Sequence, residues 1–477
     1  MRASSRFYSS VGLLMILNLV IKPLWIFGID RQVQNAVGTE EYGTYFSLLN
    51  FSIVFRFLLD WGLTNYFNRQ LAVSPEKFIG RAGSILLLKL LLSLLYAAVV
   101  IGTAFLSGVR QWEILFVLIL IQLLTSLFLF FRGLVTALQW FRTEAWLSVL
   151  DKTVMIILCG SFLYFPALAG DMTITRFLWI QVIATSIAVF VVLVILVKKD
   201  IRWSFPRHSI FDLQLFKAAL PFGLIILLMS AHFRLDGFLL ERLHPNGAYE
   251  AGLYAGAYRL LDAANMVGFL LATFLLPFMA RRWSEGKKID ELTLNSRHLL
   301  LLFSAGIIMT VVFLAPWLQQ VLYQDNNAAA ITILQWCLPA LAGYSLVQVY
   351  GTVMTATGQV LPFCLIIFLS VVLNVVLNLL LIPGWGAQGC CIAALVSQGF
   401  CGITAMVFVQ KRTGIIIHAR SLLMYIFIAG LLAGFYYMSR EWNTSPWLLM
   451  TGATLITITA ALVLKLIDWK SWQTNSK

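Results

Sequence analysis

Apolar runs of about twenty residues recur along this chain from one end to the other, and no other feature limits its folding so severely. "AGSILLLKLLLSLLYAAVVIGTAFL" at 82–106 and "HLLLLFSAGIIMTVVFLAPWLQQVL" at 298–322 are two of them. As a helix, each crosses roughly 30 Å of hydrocarbon. Inside a bilayer every backbone N–H and C=O needs a partner from the protein, which leaves helices or a closed barrel. The runs lack a barrel's alternation of apolar and polar residues. With 60% hydrophobic and 12% charged residues and a mean hydropathy of +0.87, the expected class is an all-α polytopic membrane protein of about fourteen transmembrane helices. The spans fall roughly at 9–29, 43–64, 82–106, 113–136, 144–167, 175–197, 217–241, 250–278, 298–322, 331–356, 361–382, 387–410, 420–438 and 446–466. Arg2 and Arg6 precede the first apolar run as in a signal peptide, but no small-x-small cleavage site follows, so a retained first helix is expected.

Basic residues fix the orientation. With the amino terminus in the cytoplasm, 22 of the 34 Lys and Arg fall in inner segments and 5 in outer loops, leaving 7 inside spans. That asymmetry favours cytoplasmic termini at both ends. It also accounts for the formal net charge of +13 as a topology signal facing anionic lipid, with no need for a nucleic-acid partner. All six cysteines lie in or at the ends of spans, without a CxxC pair or a His cluster. Neither a metal nor a cofactor is expected.

The polar stretch "KKDIRWSFPRHSIFDLQLFK" at 198–217 separates the sixth span from the seventh and reads as a linker on the inner membrane surface. It divides the first twelve spans into an amino-terminal six-helix lobe (1–200) and a carboxy-terminal one (217–411), joined by the interfacial linker 201–216. Accessory helices thirteen and fourteen occupy 412–477. Six is even, so related lobes would form a parallel pseudo-repeat. "EEYGTYFSLLN" at 40–50 matches "YEAGLYAGAYR" at 249–259, with Gly43-Thr44-Tyr45 over Gly252-Leu253-Tyr254. No connection reaches the size of a catalytic domain, and Walker A, HExxH and GxSxG patterns are absent, so the chain does not read as an enzyme.

Charges inside the spans are costly, each about 2.5–3.5 kcal/mol at a helix centre even on the lenient insertion scale. Setting aside charges within two residues of a span's end, seven are basic (Lys22, Arg56, Lys89, Arg132, Lys152, Arg234, Arg259) and four acidic (Asp60, Asp151, Asp236, Asp262). Arg56 and Asp60 share a face, as do Arg259 and Asp262. Asn18 and Lys22 share one just before Pro23, which should kink the first span. Arg234 and Asp236, about 200° apart around their helix, address different neighbours, with His232 on the Asp236 side. For Asp60, Lys89 and Arg132, near span ends, packing ion pairs or snorkelling are the expected roles. Lys22, Arg56, Arg234 and Arg259 are the candidates for a polar compartment suited to an anion. On the eleventh span Ser370, Asn374 and Asn378 recur at successive turns, as interhelical glue or as substrate contacts.

Three segments resemble the polysaccharide transporter branch of the multidrug/oligosaccharidyl-lipid/polysaccharide exporter (MOP) superfamily, the Wzx-like O-antigen and exopolysaccharide flippases. The first is Tyr42-Gly43 with Tyr45, Asp60-Trp61-Gly62-Leu63 and Arg69. The second is Asp236, Gly252-Leu253-Tyr254-Ala255, Tyr258-Arg259-Leu260 and Pro277. The third runs from Gly358 through Asn374, Asn378, Leu381-Ile382-Pro383, Gly386 and Gly389 to Ala393-Ala394. The resemblance implies two lobes around a cavity that opens alternately to either side of a bacterial inner membrane. Its implied cargo is an undecaprenyl-diphosphate-linked oligosaccharide, its implied neighbours membrane lipid, a polysaccharide polymerase and a chain-length regulator. Lys22, Arg56, Arg234 and Arg259 would then contact the diphosphate, with Asn18, Asp60, Asp236, Asp262, Asn374 and Asn378 as further polar or coupling groups. The drug exporters of the superfamily usually carry a membrane acid on the first helix; the span 9–29 offers only Asn18 and Lys22. A drug or small-solute exporter, the alternative reading, predicts an acidic interior. A membrane-embedded polymerase or glycosyltransferase predicts a large outer loop.

The topology is directly testable. Reporter domains fused after Lys199 and at the carboxy terminus should be active only in a cytoplasmic assay, and fusions after Arg110 or Arg242 only in a periplasmic one; the reverse pattern would overturn the orientation.

Overall fold

Helix ends fall where local chemistry places them. Thr173 accepts the Arg176 N–H at 3.2 Å and Asn327 the Ala330 N–H at 2.9 Å, each starting a helix by capping one of its orphan amides. Pro446 opens the last helix, where a missing N–H costs nothing. In a computed structural model describing residues 2–64, 82–165, 172–199, 213–414, 419–441, 444–464 and 466, these signals delimit the following α-helices. They are α1 (Arg2–Leu24), α2 (Arg31–Val37), α3 (Thr39–Val54), α4 (Ala82–Leu106), α5 (Trp112–Ala137), α6 (Phe141–Tyr164), α7 (Ile174–Lys198), α8 (Leu213–Leu243), α9 (Gly247–Ser284), α10 (Asp290–Leu322), α11 (Ala328–Cys337), α12 (Ala340–Ala356), α13 (Val360–Thr413), α14 (Ala419–Met438) and α15 (Pro446–Val463). The linker residues 201–212 and the loop carrying Arg69 lie outside the described residues.

Among the described residues, thirteen helical segments are long and apolar enough to cross a membrane. One of them, the 54-residue α13, leaves helical geometry at Gly386 (φ 53°, ψ −132°) and therefore holds two spans, which makes fourteen. Glu250 explains where that kink sits: its carboxylate accepts the Ala387 N–H at 2.8 Å and fills the space a Cβ on Gly386 would need. No strand occurs among the described residues, and side chains such as Leu94, Phe105, Phe190 and Leu380 stand exposed on the helices, as lipid-facing residues do. The chain is a multi-pass membrane protein.

Backbone packing divides it into two compact units, Met1–Arg242 and Leu243–Lys477. In the first, α1 packs on α6 and α5 on α7, around Phe128, Phe131, Leu134, Leu147, Val192 and Leu196. The seventh span belongs to this unit: the Phe238 ring lies 4.6 Å from that of Phe51, and Gly237 brings α8 against Asn50 and Phe46 of α3. In the second unit α12 and α13 approach closely, because small residues face each other. A Cβ on Gly343 would lie 2.7 Å from the Gln398 carbonyl carbon, and one on Gly402 2.6 Å from the Leu346 Cβ. Accessory helices α14 and α15 pack on α10 through Leu302, Ile428, Leu432, Tyr436 and Ala453, with Thr310 and Tyr436 hydrogen-bonded at 2.8 Å.

This packing predicts a contrast between two neighbouring glycine positions. Gly343→Ala should lower stability by about 1–3 kcal/mol, because backbone must move to admit the methyl group. Gly399→Ala, with nothing within 4 Å of the added carbon, should stay within about 0.5 kcal/mol of the parent. Thermal unfolding of the purified proteins in detergent checks both.

Candidate functional site

The second span is interrupted. After Val54 it tightens into a 3-10 turn over Phe55–Leu59, then departs from helix at Asp60–Gly62, where Trp61 (φ 49°) and Gly62 (φ 78°) are left-handed. Helix resumes at Leu63. Such a break frees backbone groups that hydrocarbon cannot satisfy. Lys89, only 1% exposed, supplies the remedy: its ammonium donates to the Leu59 carbonyl at 3.2 Å, pairs with the Asp60 carboxylate and reaches the Thr64 hydroxyl at 3.3 Å. Ser126 of α5 donates to the same carbonyl at 3.4 Å. The Asp60 carboxylate accepts the Thr64 N–H at 3.3 Å and the Thr64 hydroxyl, capping the resumed helix. Asp60, Lys89 and the broken backbone thus form one closed hydrogen-bonded group.

Arg56 sits in the 3-10 turn just before this group. It is half-buried and, among the described residues, makes no hydrogen bond and no ion pair. Asp60, Tyr96 and Arg234 are its charged or polar neighbours. Lys22 is likewise half-buried and without hydrogen bond or ion pair, within electrostatic reach of Arg132, Asp151 and Lys152. Asp151 and Lys152 pair with each other at 3.1 Å, and the Lys152 ammonium lies 5.3 Å from the Trp25 ring. The first unit therefore brings Arg56 and Arg234 together, and sets Lys22 in a second basic group on α1, α5 and α6. Arg259 and Asp262, both half-buried on α9, belong to the second unit.

The remaining candidates are packing contacts or deeply buried. Asn18 donates to Ser148 at 2.8 Å and to the Leu14 carbonyl, tying α1 to α6. Asn378 donates to Asn374 at 3.1 Å, and Asn374 to Ser397 at 3.3 Å, joining the two halves of α13. Asp236 and His232 are each 2% exposed on one side of α8, while Arg234 is half-buried.

Three residues escape a reading of the sequence. Glu144, 12 residues after Arg132 across a short connection, pairs with it at 2.5 Å. Asp30 is buried because the first span does not end at 29: a π-helical segment over Trp25–Asp30, following Pro23, carries it on to Val37, and Tyr42 donates to the carboxylate at 2.8 Å. A carboxylate does lie on the first helix, contrary to expectation, and the basic excess inside the spans is smaller than four acids imply. Arg297, assigned to an inner loop by charge alone, is 1% exposed within α10, donating to Tyr425 at 3.2 Å and to Tyr350 at 3.4 Å. The nearest legible signal was the short α5–α6 connection, which brings the end of one helix beside the start of the next.

Residues 9–283 match the family model described as polysaccharide biosynthesis protein. The chain belongs to the polysaccharide biosynthesis protein family. Residues 221–380 also match the MatE model. None of the curated proteins compared with this member of the family matches it. Among solved structures, the lipid II flippase MurJ in an inward closed conformation is similar over 96% of this chain and 99% of its own, at 14% identity and a TM-score of 0.73. A MOP superfamily transporter from Pyrococcus furiosus, described by a binding pocket of reversed polarity, is similar over 84% of this chain and 95% of its own (15% identity, TM-score 0.65). An outward-facing multidrug resistance MATE family transporter covers the same shares at 14% identity and a TM-score of 0.62. This family member thus has the fold shared by these MOP superfamily transporters and the lipid II flippase.

The Arg132–Glu144 pair gives a stability prediction. Glu144→Ala should cost about 3 kcal/mol, the low end for a broken buried pair because Arg132 is not wholly enclosed, whereas Glu144→Leu combined with Arg132→Leu should be close to neutral. Unfolding midpoints of the two variants, compared with the parent, decide it.

Proposed function

We propose that this protein is a flippase that moves an undecaprenyl-diphosphate-linked oligosaccharide from the cytoplasmic to the periplasmic leaflet by alternating access, for surface polysaccharide of the O-antigen type. The observation that carries this reading is Arg56: a guanidinium inside a membrane span, beside a second arginine, with no carboxylate bonded to it. A charge so placed needs an anion or water as its partner. A diphosphate suits it, because guanidinium donors match phosphate oxygens in bidentate fashion and replace the water the head group gives up. Lys22 and Arg234 supply further contacts in the first unit, and Arg259 supplies them in the second. The polyprenyl tail stays in lipid. Asp236 and Asp262 orient these cations or take up coupling protons. The protein lies in the inner membrane with both termini cytoplasmic, with 412–477 as accessory helices, and works beside a polymerase and a chain-length regulator.

Membership of the polysaccharide biosynthesis family and the likeness to a lipid II flippase support a lipid-linked saccharide as cargo. The MatE match over 221–380 favours a second reading, export of drugs or small solutes. Single substitutions of Arg56, Arg234, Arg259 or Lys22 by Ala should each reduce surface polysaccharide at least about tenfold, the equivalent of one lost charge-assisted contact, with the protein still inserted at parental abundance. Normal polysaccharide together with new drug sensitivity would decide for the second reading.

A further inference from the structure

A chain break within a membrane span needs something to hold it open. Rewinding Phe55–Leu59 from 3-10 to α geometry and continuing the helix through Asp60–Gly62 would restore the missing backbone bonds, and in hydrocarbon that is the favoured course unless the freed groups already have partners. At this break they do: the Asp60 and Trp61 N–H groups bond the Phe57 carbonyl, the Leu63 N–H the Asp60 carbonyl, the Thr64 N–H the Asp60 carboxylate, and Lys89 ties the Leu59 carbonyl to that carboxylate. Lys89 also reaches the Thr64 hydroxyl. From the other side α8 lies directly on the interruption: a Cβ on Gly223 would be 3.1 Å from the Trp61 carbonyl carbon and oxygen. Gly223 opposite Trp61, and Phe238 opposite Phe51, also show that α8 runs antiparallel to α3. That register brings Arg234 level with Arg56.

Among the described residues Arg56 itself makes no hydrogen bond and no ion pair; Tyr96 and Asp60 attract it from a distance and Arg234 is a like charge alongside. Its place is set by the backbone and not by a side-chain bond. A 3-10 turn advances about 120° per residue against about 100° for an α-helix, so rewinding from Phe55 would swing Arg56 by about 40° relative to α3. A long side chain moves its tip several ångströms through such an angle. We propose that Lys89 is a positioning residue: by holding the α3 interruption open it keeps Arg56 beside Arg234 as a paired anion site. The inference rests on the reading of Arg56 as an anion contact. It assigns to Asp60-Trp61-Gly62 the work of aiming a neighbouring arginine, with no direct contact to cargo.

Farnesyl diphosphate serves as the probe, with binding to the purified full-length protein measured by calorimetry. Arg56→Ala and Lys89→Met should each weaken binding about tenfold, and the double variant should be no weaker than either, because the two act through one contact. Lys89→Arg should restore binding to near the parental value. Should Lys89→Met alone fail to fold, Lys89→Met with Asp60→Leu removes the ion pair as a unit at little cost in stability and should bind as weakly as Arg56→Ala. A second readout needs no ligand. All six native cysteines are buried, so a cysteine at position 56 (R56C) can be labelled selectively with a water-soluble maleimide. Its labelling rate should change about tenfold when Lys89→Met is added and hardly at all with Lys89→Arg. Additive losses of affinity, or an unchanged labelling rate, would overturn the positioning role. Unimpaired binding by Arg56→Ala would instead overturn the anion-site reading, leaving the labelling result to judge Lys89 independently.

Discussion

Hydrocarbon offers no hydrogen bonds, and the architecture of this protein follows from that single constraint. Every polar group taken into the bilayer must be matched from within, at several kcal/mol for each one that is not. Continuous helices meet the demand without help from side chains, which is why most of the chain is built of them. The irregular places show the constraint more clearly. At Gly386 the carboxylate of Glu250 takes the orphan Ala387 amide; at Asp60–Gly62 an ammonium and a carboxylate take both ends of the break. In each case a side chain far along the sequence is what lets the backbone turn.

The same constraint sorts the buried charges into two kinds. Lys89 with Asp60, Arg132 with Glu144, and Lys152 with Asp151 are matched internally. A pair of this sort is costly to assemble and costlier to break, so its effect is to lock geometry rather than to add stability. Arg56 and Lys22 are of the second kind. Among the described residues they have no hydrogen-bonded or ion-paired partner, only the longer-range attraction of Asp60 and Asp151 respectively, and the flippase proposed here would complete them with a partner that enters and leaves. Exchangeable partners require cations that are held in place by the backbone and not by a carboxylate.

How much of this was legible in the sequence depended on whether the signal was local. The spans were legible because twenty apolar residues in a row have one solution in a membrane. The pairing roles of Lys89 and Asp60 followed from their positions near span ends, and the Asn374–Asn378 stripe from its helical spacing. Glu144 was missed because nothing within its own helix marks it; its partner comes from the preceding one. Asp30 was missed because apolar character fades before the helix does, and a π-helical segment after Pro23 has no compositional signature. Arg297 was counted as a loop residue because charge was taken to mean water, whereas two tyrosine hydroxyls from α12 and α14 enclose it.

Arg297 shows what a buried cation does when its partners are neutral. Tyr425 accepts from the Arg297 Nε and is hydrogen-bonded to the His298 Nδ1, 2.6 Å away. The arginine thus orders a tyrosine, and the tyrosine orders a histidine, across the seam where α14 meets α10. Apolar packing alone would let that accessory helix slide along α10 at little cost; a directional chain anchored on a fixed charge gives it one register.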